Sequence, residues 1–362
     1  MSLDSLRPRA EAGAGSTPGP ATEARGDDRG LKTAGAGRNR GRGARGGEQL
    51  MVPEAAFTSY YGRPVVKPAP WGNDIPAYLF LAGLAAGSSL LAAGADLSNR
   101  PDLRRIGRIA AMLSVGASLA ALVHDLGKPS RFINMLRVAK PTSPMSMGTW
   151  ILTAYTPAAG LAGIAELAAL LPRRPAALDC LLGLGARPAG LVAATLAPAL
   201  ASYTGVLLSD TATPSWHEGH RELPFVSVGS AAAAAGGLAM LAAPVEQAGP
   251  ARRLAVGGAM LELAMERKME GSMGITAEPL HGGRAGGLMR ASRALSVGGT
   301  LGAVVLAGRS RALARLSGAA LLAGSVCTRF AIFEAGQESA RDPRYTVVPQ
   351  RERLARRSHV SA

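Results

Sequence analysis

The sequence is poor in the residues that redox proteins use to hold metal cofactors. Its 362 residues include two cysteines, Cys180 and Cys327, and five histidines. Two cysteines cannot supply the four protein ligands of an iron–sulfur cluster, and they form no CxxC site or disulfide framework. Only His124 lies near an apolar block, so two intramembrane histidines cannot hold a b-haem. We therefore expect no haem, no iron–sulfur cluster and no other metal in this chain.

Aromatic residues are equally scarce, at 4% of a chain that is 48% hydrophobic. From about residue 75 to 334, Ala, Leu, Gly and Val form apolar blocks of roughly 20 residues, the length that crosses a hydrocarbon core of about 30 Å. This pattern predicts an all-α, polytopic integral membrane protein with about eight transmembrane helices. The predicted spans are 75–97, 106–124, 149–171, 189–208, 223–243, 249–267, 286–307 and 311–333.

The first 50 residues contain no aromatic residue but 11 Gly, nine basic and six acidic residues. Such a segment buries too little apolar surface to offset the entropy of ordering. We therefore divide the chain into a disordered basic Gly/Arg-rich tail at 1–56, a membrane domain at 57–340 and a basic C-terminal tail at 341–362. The tail lacks the apolar region of a signal peptide, and we treat Met51 as a candidate alternative translation start.

The net charge is +15, which would suggest nucleic-acid binding in a soluble chain. Here the basic residues lie in the tails and in the short loops between apolar blocks, where they determine membrane topology. We therefore expect membrane lipid around this chain and no nucleic-acid partner. The many small residues within the spans predict helices that pack closely in a bundle.

The fifteen aromatic residues are distributed unevenly across the predicted topology. With eight spans, both termini lie on one membrane face, and all fifteen aromatic residues fall on that face or in the helix halves that lead to it. Membrane proteins usually carry aromatic belts at both interfaces. The one-sided distribution therefore indicates a ligand pocket or a partner-docking surface on that face.

Polar residues near the ends of the predicted spans support the same face. His124 and Asp125 end the second span, Arg329 and Glu334 end the eighth, and Tyr203 lies six residues before the end of the fourth. Ionisable groups at membrane depth usually face a cavity or each other. Tyr203 would lie roughly 9 Å below its helix end, as a ligand contact or as an interfacial anchor. For Arg329 with Glu334, the alternative is a snorkelling pair.

Two acidic residues end helices on the opposite face. Asp96 follows the first span's apolar block and Glu166 lies near the end of the third. We predict that water solvates both carboxylates.

Several sequence motifs occur along the chain in a fixed order. They are YYGRPVVK at 60–67, IPAYLF at 75–80, HDLGKPSRF at 124–132, SPMSMGTW at 143–150, RFAIFEAG at 329–336 and SARDP at 339–343. These motifs resemble those of the NrfD-type family, the membrane subunits of polysulfide reductase and related molybdenum oxidoreductases. The resemblance covers about residues 57–350.

The resemblance implies a multi-pass subunit of the cell membrane with eight helices and a bound quinone, menaquinone or ubiquinone, but no metal cofactor. Such a subunit docks to a ferredoxin-like iron–sulfur subunit, which connects it to a molybdopterin catalytic subunit. Its expected function is to pass electrons between the membrane quinone pool and the iron–sulfur subunit. The chain itself would then be part of an oxidoreductase without a catalytic metal centre of its own.

A quinone head needs polar partners for its two oxygens and a proton route to water. Tyr203 is the candidate partner of one oxygen, and Asn73 or Asp74 of the other. His124 with Asp125 is the candidate proton relay, since a histidine beside a carboxylate titrates near neutral pH. Alternatively, Asp125 caps the turn that follows through its backbone, and His124 merely ends the helix.

The candidate residues for docking the iron–sulfur subunit surround the second connection and the end of the last span. The basic residues of that connection are either solvated loop charge or a docking edge, and Phe132 among them favours docking. The candidates are Lys128, Arg131, Phe132, Trp150, Arg329 and Glu334.

Two other functions remain open. A passive anchor would hold the same complex to the membrane without binding quinone. An ion-coupled transporter usually has internal repeats and broken helices that carry charge. Residues 75–208 and 223–333 show no convincing repeat, and Glu262 and Glu266, the carboxylates available for such a path, lie in the weakest span.

Overall fold

The computed structural model describes residues 64–171, 176–305, 308 and 310–360, and long helices dominate these segments. The predicted disordered tail and the first four residues of the motif at 60–67 lie outside the described residues. In chain order the helices are α1 (Asp74–Leu97), α2 (Pro101–Asp125), α3 (Arg131–Met135), α4 (Pro144–Ala168), α5 (Ala176–Ser209), α6 (Pro214–Glu218), α7 (Leu223–Ala242), α8 (Gly249–Met273), α9 (Gly283–Val305), α10 (Arg311–Arg341) and α11 (Arg344–Val360). A 3-10 helix, Gly274–Leu280, joins α8 to α9.

Six of the described helices are long and apolar enough to cross a membrane. They are α1, α2, α4, α7, α10 and the Leu182–Ser209 part of α5. The prediction of an all-α integral membrane protein is therefore confirmed, and the predicted crossings are confirmed for six of about eight. Helices α8 and α9 match the other two predicted spans in position, but their charged residues lower the mean hydropathy.

The long helices form two groups that share α1 and α7 as neighbours. Helix α1 packs along α2 and α5, and α4 packs along α5 and α2. In the second group, α7 packs along α8 and α10, and α10 packs along α9. Most of α1 is buried inside the protein, which places this helix between the two groups.

Small residues permit the close helix contacts. A Cβ on Gly87 of α1 would lie 2.6 Å from the Ala231 carbonyl oxygen of α7, and one on Gly258 of α8 would lie 2.5 Å from the Ala233 backbone nitrogen. Neither contact leaves room for a side chain. The prediction that small residues allow close bundle packing is thus confirmed at these crossings.

The turn after α2 depends on a glycine. Gly127 has a φ of +69°, in the left-handed region that residues with a Cβ rarely adopt. The backbone nitrogen of Gly127 donates to the His124 carbonyl oxygen, at 3.1 Å. The short helix α3 follows, near the beginning of α1 and the end of α5.

The acidic residues predicted to be solvated at the other end of these helices are buried instead. The side chains of Asp96 and Glu166 are 10% and 5% exposed. Both carboxylates pair with arginines of α2, which turn inward from the start of that helix. The prediction was wrong because a sequence pattern does not reveal that cationic side chains on a neighbouring helix meet these carboxylates.

Candidate functional site

A largely apolar cavity of about 510 Å³ lies between the beginning of α1, the ends of α2 and α5, and the beginning of α4. Its volume is in the range typical of small-molecule sites. The short helix α3 contributes to one wall. The lining residues are Trp71, Ile75, Tyr78, Leu122, Asp125, Leu126, Arg131, Asn134, Met135, Met145, Thr149, Leu152, Tyr203 and Leu207.

Tyr203 lies in the cavity wall, six residues before the end of α5, and is almost completely buried. Its ring packs directly on Gly148 of α4, where a Cβ would lie 1.8 Å from the ring carbon Cζ. This contact explains why a glycine occupies that turn of α4. The ring position is therefore determined by the shape of a neighbouring helix.

Tyr78 of α1 is a second cavity residue, which the sequence did not single out. Its side chain is buried, and its hydroxyl interacts with that of Tyr203. Tyr78 belongs to the IPAYLF motif and lies one helical turn after Asp74, so helical spacing could have indicated it. Two phenol hydroxyls thus share one side of this largely apolar cavity.

Asp125 lines the same cavity from the last residue of α2. Its carboxyl group lies close to the backbone of Gly72, just before α1. The contact connects the end of α2 to the beginning of α1. Asp125 is thus the acidic residue among those that line the cavity.

His124 pairs with Asp74 rather than with its neighbour Asp125. The distance between His124 Nδ1 and Asp74 Oδ2 is 2.8 Å, and the histidine side chain is 81% exposed. Neither residue lines the cavity, and the exposed residue Asn73 does not line it either. The structure therefore brings Tyr203 and Asp125 together in the cavity and leaves the His124–Asp74 pair at the surface near Asp125.

A row of three aromatic rings in contact continues from the cavity wall. Trp71 lines the cavity and stacks on Trp216, with ring centroids 5.9 Å apart, and Trp216 contacts Phe333 of α10 at 5.6 Å. The indole nitrogen of Trp216 donates to the Ile332 carbonyl oxygen, at 2.8 Å. Gln337 of α10 holds the segment before Trp71 through a 2.9 Å hydrogen bond to the Ala69 carbonyl oxygen.

The connection after α2 places several candidate docking residues near the cavity. Arg131 lines the cavity while its side chain is largely exposed, and Lys128 is fully at the surface. Phe132 is half-buried, and the indole nitrogen of Trp150 donates to the Val138 carbonyl oxygen, at 3.4 Å. These four residues lie in or beside one connection.

Arg329 does not lie at a helix end, as the sequence suggested. Helix α10 continues to Arg341, so Arg329 lies inside the helix, and it is only 5% exposed. Its guanidinium donates to the Ser227 hydroxyl and the Ser227 carbonyl oxygen, both at 2.7 Å, and to the Thr204 hydroxyl at 3.3 Å. A buried guanidinium cannot contribute to a docking surface, so that assignment is corrected.

Glu334 is also separate from Arg329. Its carboxylate lies 3.4 Å from Nη1 of Arg284 on α9 and is partly exposed. The predicted snorkelling pair of Arg329 with Glu334 is therefore wrong. The apolar block of α10 ends before Glu334, but the helix continues for seven more residues, which the hydropathy pattern did not indicate.

Two carboxylates of α8 are buried between α7, α9 and α10. Glu262 and Glu266 are 0% and 1% exposed, and no described residue makes a well-formed hydrogen bond to either carboxylate. Ser230 and Thr328 lie beside Glu262, and the Nε of Arg293 is 3.6 Å from Glu266 Oε2. Glu262 and Glu266 thus lie in the sixth predicted span, and both side chains point into the protein interior.

The described residues contain no group of three or more His, Cys, Asp or Glu side chains arranged to hold a metal ion. The polar groups of the cavity are instead hydroxyls, an amide, one carboxylate and one guanidinium. Such groups suit an uncharged ligand with hydrogen-bonding oxygens.

The family model described as "Polysulphide reductase, NrfD" matches residues 65–262, more than half of the chain. The chain belongs to the NrfD family. The match includes α1 to α7 and most of α8, and therefore every residue that lines the cavity. It confirms the resemblance that the sequence motifs carry.

Curated relatives of this NrfD-family protein match shorter stretches. The C chain of the polysulfide reductase of Wolinella succinogenes is 34% identical over 151 residues, which cover 38% of this protein and 47% of the relative. The C subunit of the selenate reductase of Mesobacillus selenatarsenatis is 36% identical over 95 residues, 25% of this protein and 20% of the relative. The Hdr-like menaquinol oxidoreductase integral membrane subunit of Archaeoglobus fulgidus is 32% identical over 89 residues, which cover 24% of this protein and 22% of the relative. The matched stretch spans about half the length of the first relative and about a fifth of the others.

Proposed function

We propose that this NrfD-family chain is the quinone-binding membrane subunit of an oxidoreductase complex. It passes electrons between the membrane quinone pool and a docked iron–sulfur subunit. The observation that supports this function is the apolar cavity at the ends of α2 and α5, with Tyr203 and Asp125 in its wall. A menaquinone is the preferred ligand, since a curated relative is named a menaquinol oxidoreductase subunit; ubiquinone is the other candidate.

The cavity suits a flat ring with two polar oxygens. Leu122, Met145 and Leu152 supply apolar walls, and Trp71 supplies an aromatic face. The Tyr203 hydroxyl donates a hydrogen bond to one quinone oxygen, and the Tyr78 hydroxyl beside it orients that donor. Asp125 exchanges a proton with the second quinone oxygen.

The proton route uses the residues between the cavity and the surface. Oxidation of a quinol releases two electrons and two protons, and reduction of a quinone consumes them. In the oxidation direction, Asp125 accepts protons from the ring oxygens and passes them to water beside the His124–Asp74 pair, while the electrons pass to the docked subunit. This arrangement replaces the direct contact of Asn73 or Asp74 with the quinone that the sequence suggested.

The docking surface for the iron–sulfur subunit lies beside the cavity. Lys128, Arg131, Phe132 and Trp150 provide positive charge and rings, and Ile133 adds an apolar side chain that is 67% exposed. Exposed apolar groups with surrounding charge are typical of protein interfaces. The resemblance to the family implies a ferredoxin-like subunit here, with a molybdopterin catalytic subunit beyond it and the complex in the cell membrane.

Replacing one hydroxyl tests this function. The complex carrying Tyr203→Phe is extracted from native membranes, and quinol-linked turnover is compared with viologen-linked turnover, which bypasses the membrane subunit. Loss of a hydrogen bond worth roughly 1.5 to 3 kcal/mol predicts a quinol-linked rate about 10 to 160 times lower. Viologen-linked turnover stays unchanged.

Tyr155→Phe is the matched control. Tyr155 is also a buried tyrosine, but its hydroxyl contacts the Ser89 hydroxyl and the Ala85 carbonyl oxygen, both at 2.7 Å, and it does not line the cavity. Full quinol-linked activity in Tyr203→Phe would indicate a passive anchor. Equal losses in both variants would indicate a general effect on folding.

A second candidate function is proton translocation, supported by Glu262 and Glu266. Carboxylates buried within a membrane protein commonly lie on ion paths. In liposomes that contain the complex, Glu262→Gln would then lower the protons moved per electron without slowing quinol oxidation. Glu338→Gln, a change at an exposed carboxylate of α10, would leave that ratio unaltered. An unaltered ratio in both variants would exclude this path.

A further inference from the structure

A second cavity, of about 410 Å³, lies at the opposite end of the same helices from the proposed quinone site. It is formed by the end of α1, the beginning of α2, the end of α4 and the first half of α5. Charged side chains dominate its lining, unlike that of the first cavity. They are Asp96, Arg104, Arg108, Glu166 and Arg187.

The two carboxylates each contact more than one arginine. Glu166 Oε1 accepts hydrogen bonds from Arg104 Nε at 2.8 Å and Arg108 Nη1 at 3.0 Å. Asp96 Oδ2 lies 3.3 Å from Arg187 Nε and 3.6 Å from Arg108 Nη2. Arg108, on the second turn of α2, is buried between them.

The arginines outnumber the carboxylates that neutralise them. Arg105 adds a fourth guanidinium, with its Nε 3.8 Å from Glu166 Oε2, so the cluster has four positive and two negative groups. Its Nε is buried and donates no hydrogen bond to a described residue. A net charge of about +2 beside a hydrocarbon core is costly unless an anion offsets it. The remaining guanidinium donors match the geometry of phosphate oxygens.

Exposed leucines stand next in sequence to residues that line this cavity. Leu97, at the end of α1, and Leu184, on α5, are 69% and 73% exposed, and Leu167 and Leu170 at the end of α4 are also exposed. Leu182 lines the cavity itself. A free phosphate ion would use the arginines but would gain nothing from these leucines, whereas acyl chains would cover them.

We propose that this cavity binds the phosphate headgroup of an anionic phospholipid. The phosphate lies among Arg104, Arg108 and Arg187, and the acyl chains lie along Leu167 and Leu184. Basic pockets between transmembrane helices are a known form of lipid-headgroup site. The proposal does not depend on quinone binding, because the two cavities share no lining residue.

The test uses the full-length chain, purified in a mild detergent. Its thermal unfolding is followed with phosphatidylglycerol, phosphatidylcholine or inorganic phosphate added, and native mass spectrometry counts the bound lipids. We expect stabilisation by phosphatidylglycerol alone. Arg104→Gln and Arg187→Gln should each weaken its binding about fivefold, which corresponds to ~1 kcal/mol per arginine. Both side chains line the cavity and are partly exposed, so these variants avoid the buried Arg108.

Arg311→Gln is the control, because Arg311 is exposed at the start of α10 and does not line the cavity. Unchanged lipid binding in this variant, with weaker binding in the other two, would support the site. Equal stabilisation by phosphatidylcholine would overturn the proposal. Equal stabilisation by inorganic phosphate would overturn the lipid assignment, and an equal loss in all three variants would show general charge attraction.

Discussion

Gly148 offers a way to move the Tyr203 ring without changing any polar group. In Gly148→Ala, the new Cβ would lie 1.8 Å from Cζ and 2.2 Å from the hydroxyl oxygen of Tyr203. Ordinary van der Waals contact begins near 3.4 Å, so the ring would have to move by roughly 1.6 Å. The hydroxyl would then leave the position from which it contacts Tyr78 and the cavity.

The size of the effect follows from two opposing contributions. Alanine inside a helix is more favourable than glycine by up to ~1 kcal/mol, whereas overpacking a buried contact costs ~1 to 3 kcal/mol. The net loss of stability should therefore be small. A misplacement of about 1 Å at a reacting group can lower a rate about 100-fold, so quinol-linked turnover should fall far more than stability.

The assay compares quinol-linked and viologen-linked turnover of the complex in native membranes. Gly160→Ala is the matched control, because Gly160 lies on the same helix and no atom would lie within 4 Å of its new Cβ. That variant should retain both activities. Wild-type quinol-linked turnover in Gly148→Ala would refute the argument that the position of the Tyr203 ring controls the reaction.

Three further changes have expected outcomes. Arg329→Gln removes a buried guanidinium with three hydrogen bonds and should lower the free energy of unfolding by ~3 to 5 kcal/mol. Thermal unfolding in detergent measures this loss, and an unchanged midpoint would contradict the buried hydrogen-bond network. Gly336→Ala would place a Cβ 2.0 Å from the Trp216 ring, so this variant should show altered tryptophan fluorescence and a lower unfolding temperature. An unchanged emission spectrum would argue against the packing of Trp216 on Gly336. Asp74→Asn removes the partner of His124 and should slow quinol-linked turnover about tenfold, and a small weak acid such as formate should restore the rate. A normal rate in this variant without added acid would exclude the His124–Asp74 pair from the proton route.

The sequence predicted the helical class because that class depends on local patterns, and it singled out two residues that line the first cavity, Tyr203 and Asp125. Apolar blocks of membrane length identify helices directly, and the depth of Tyr203 follows from counting residues along one helix. The HDLGKPSRF motif located Asp125 for the same reason, since the motif lies at a helix end. Tyr78 was missed because its role depends on α1 and α5 being adjacent.

The errors concern residues whose roles depend on other helices. Arg329 was assigned to a helix end because the apolar block of α10 stops nearby, although the helix continues to Arg341. Asp96 and Glu166 were predicted to be solvated because nothing local to them shows the arginines of α2 turning inward. Hydropathy describes the surroundings of a helix on average, whereas an ion pair depends on which two helices pack together.

Helix α10 gives the protein a rigid connection between its interior and its surface. Its 31 residues extend roughly 46 Å, well beyond a hydrocarbon core of about 30 Å. The same rod holds Arg329 inside the bundle and, two turns further on, fixes the segment before Trp71 through Gln337. A force on the outer end of α10 would therefore reach the cavity wall through one hydrogen bond and the short segment 69–71, which couples the width of the cavity to the position of this helix.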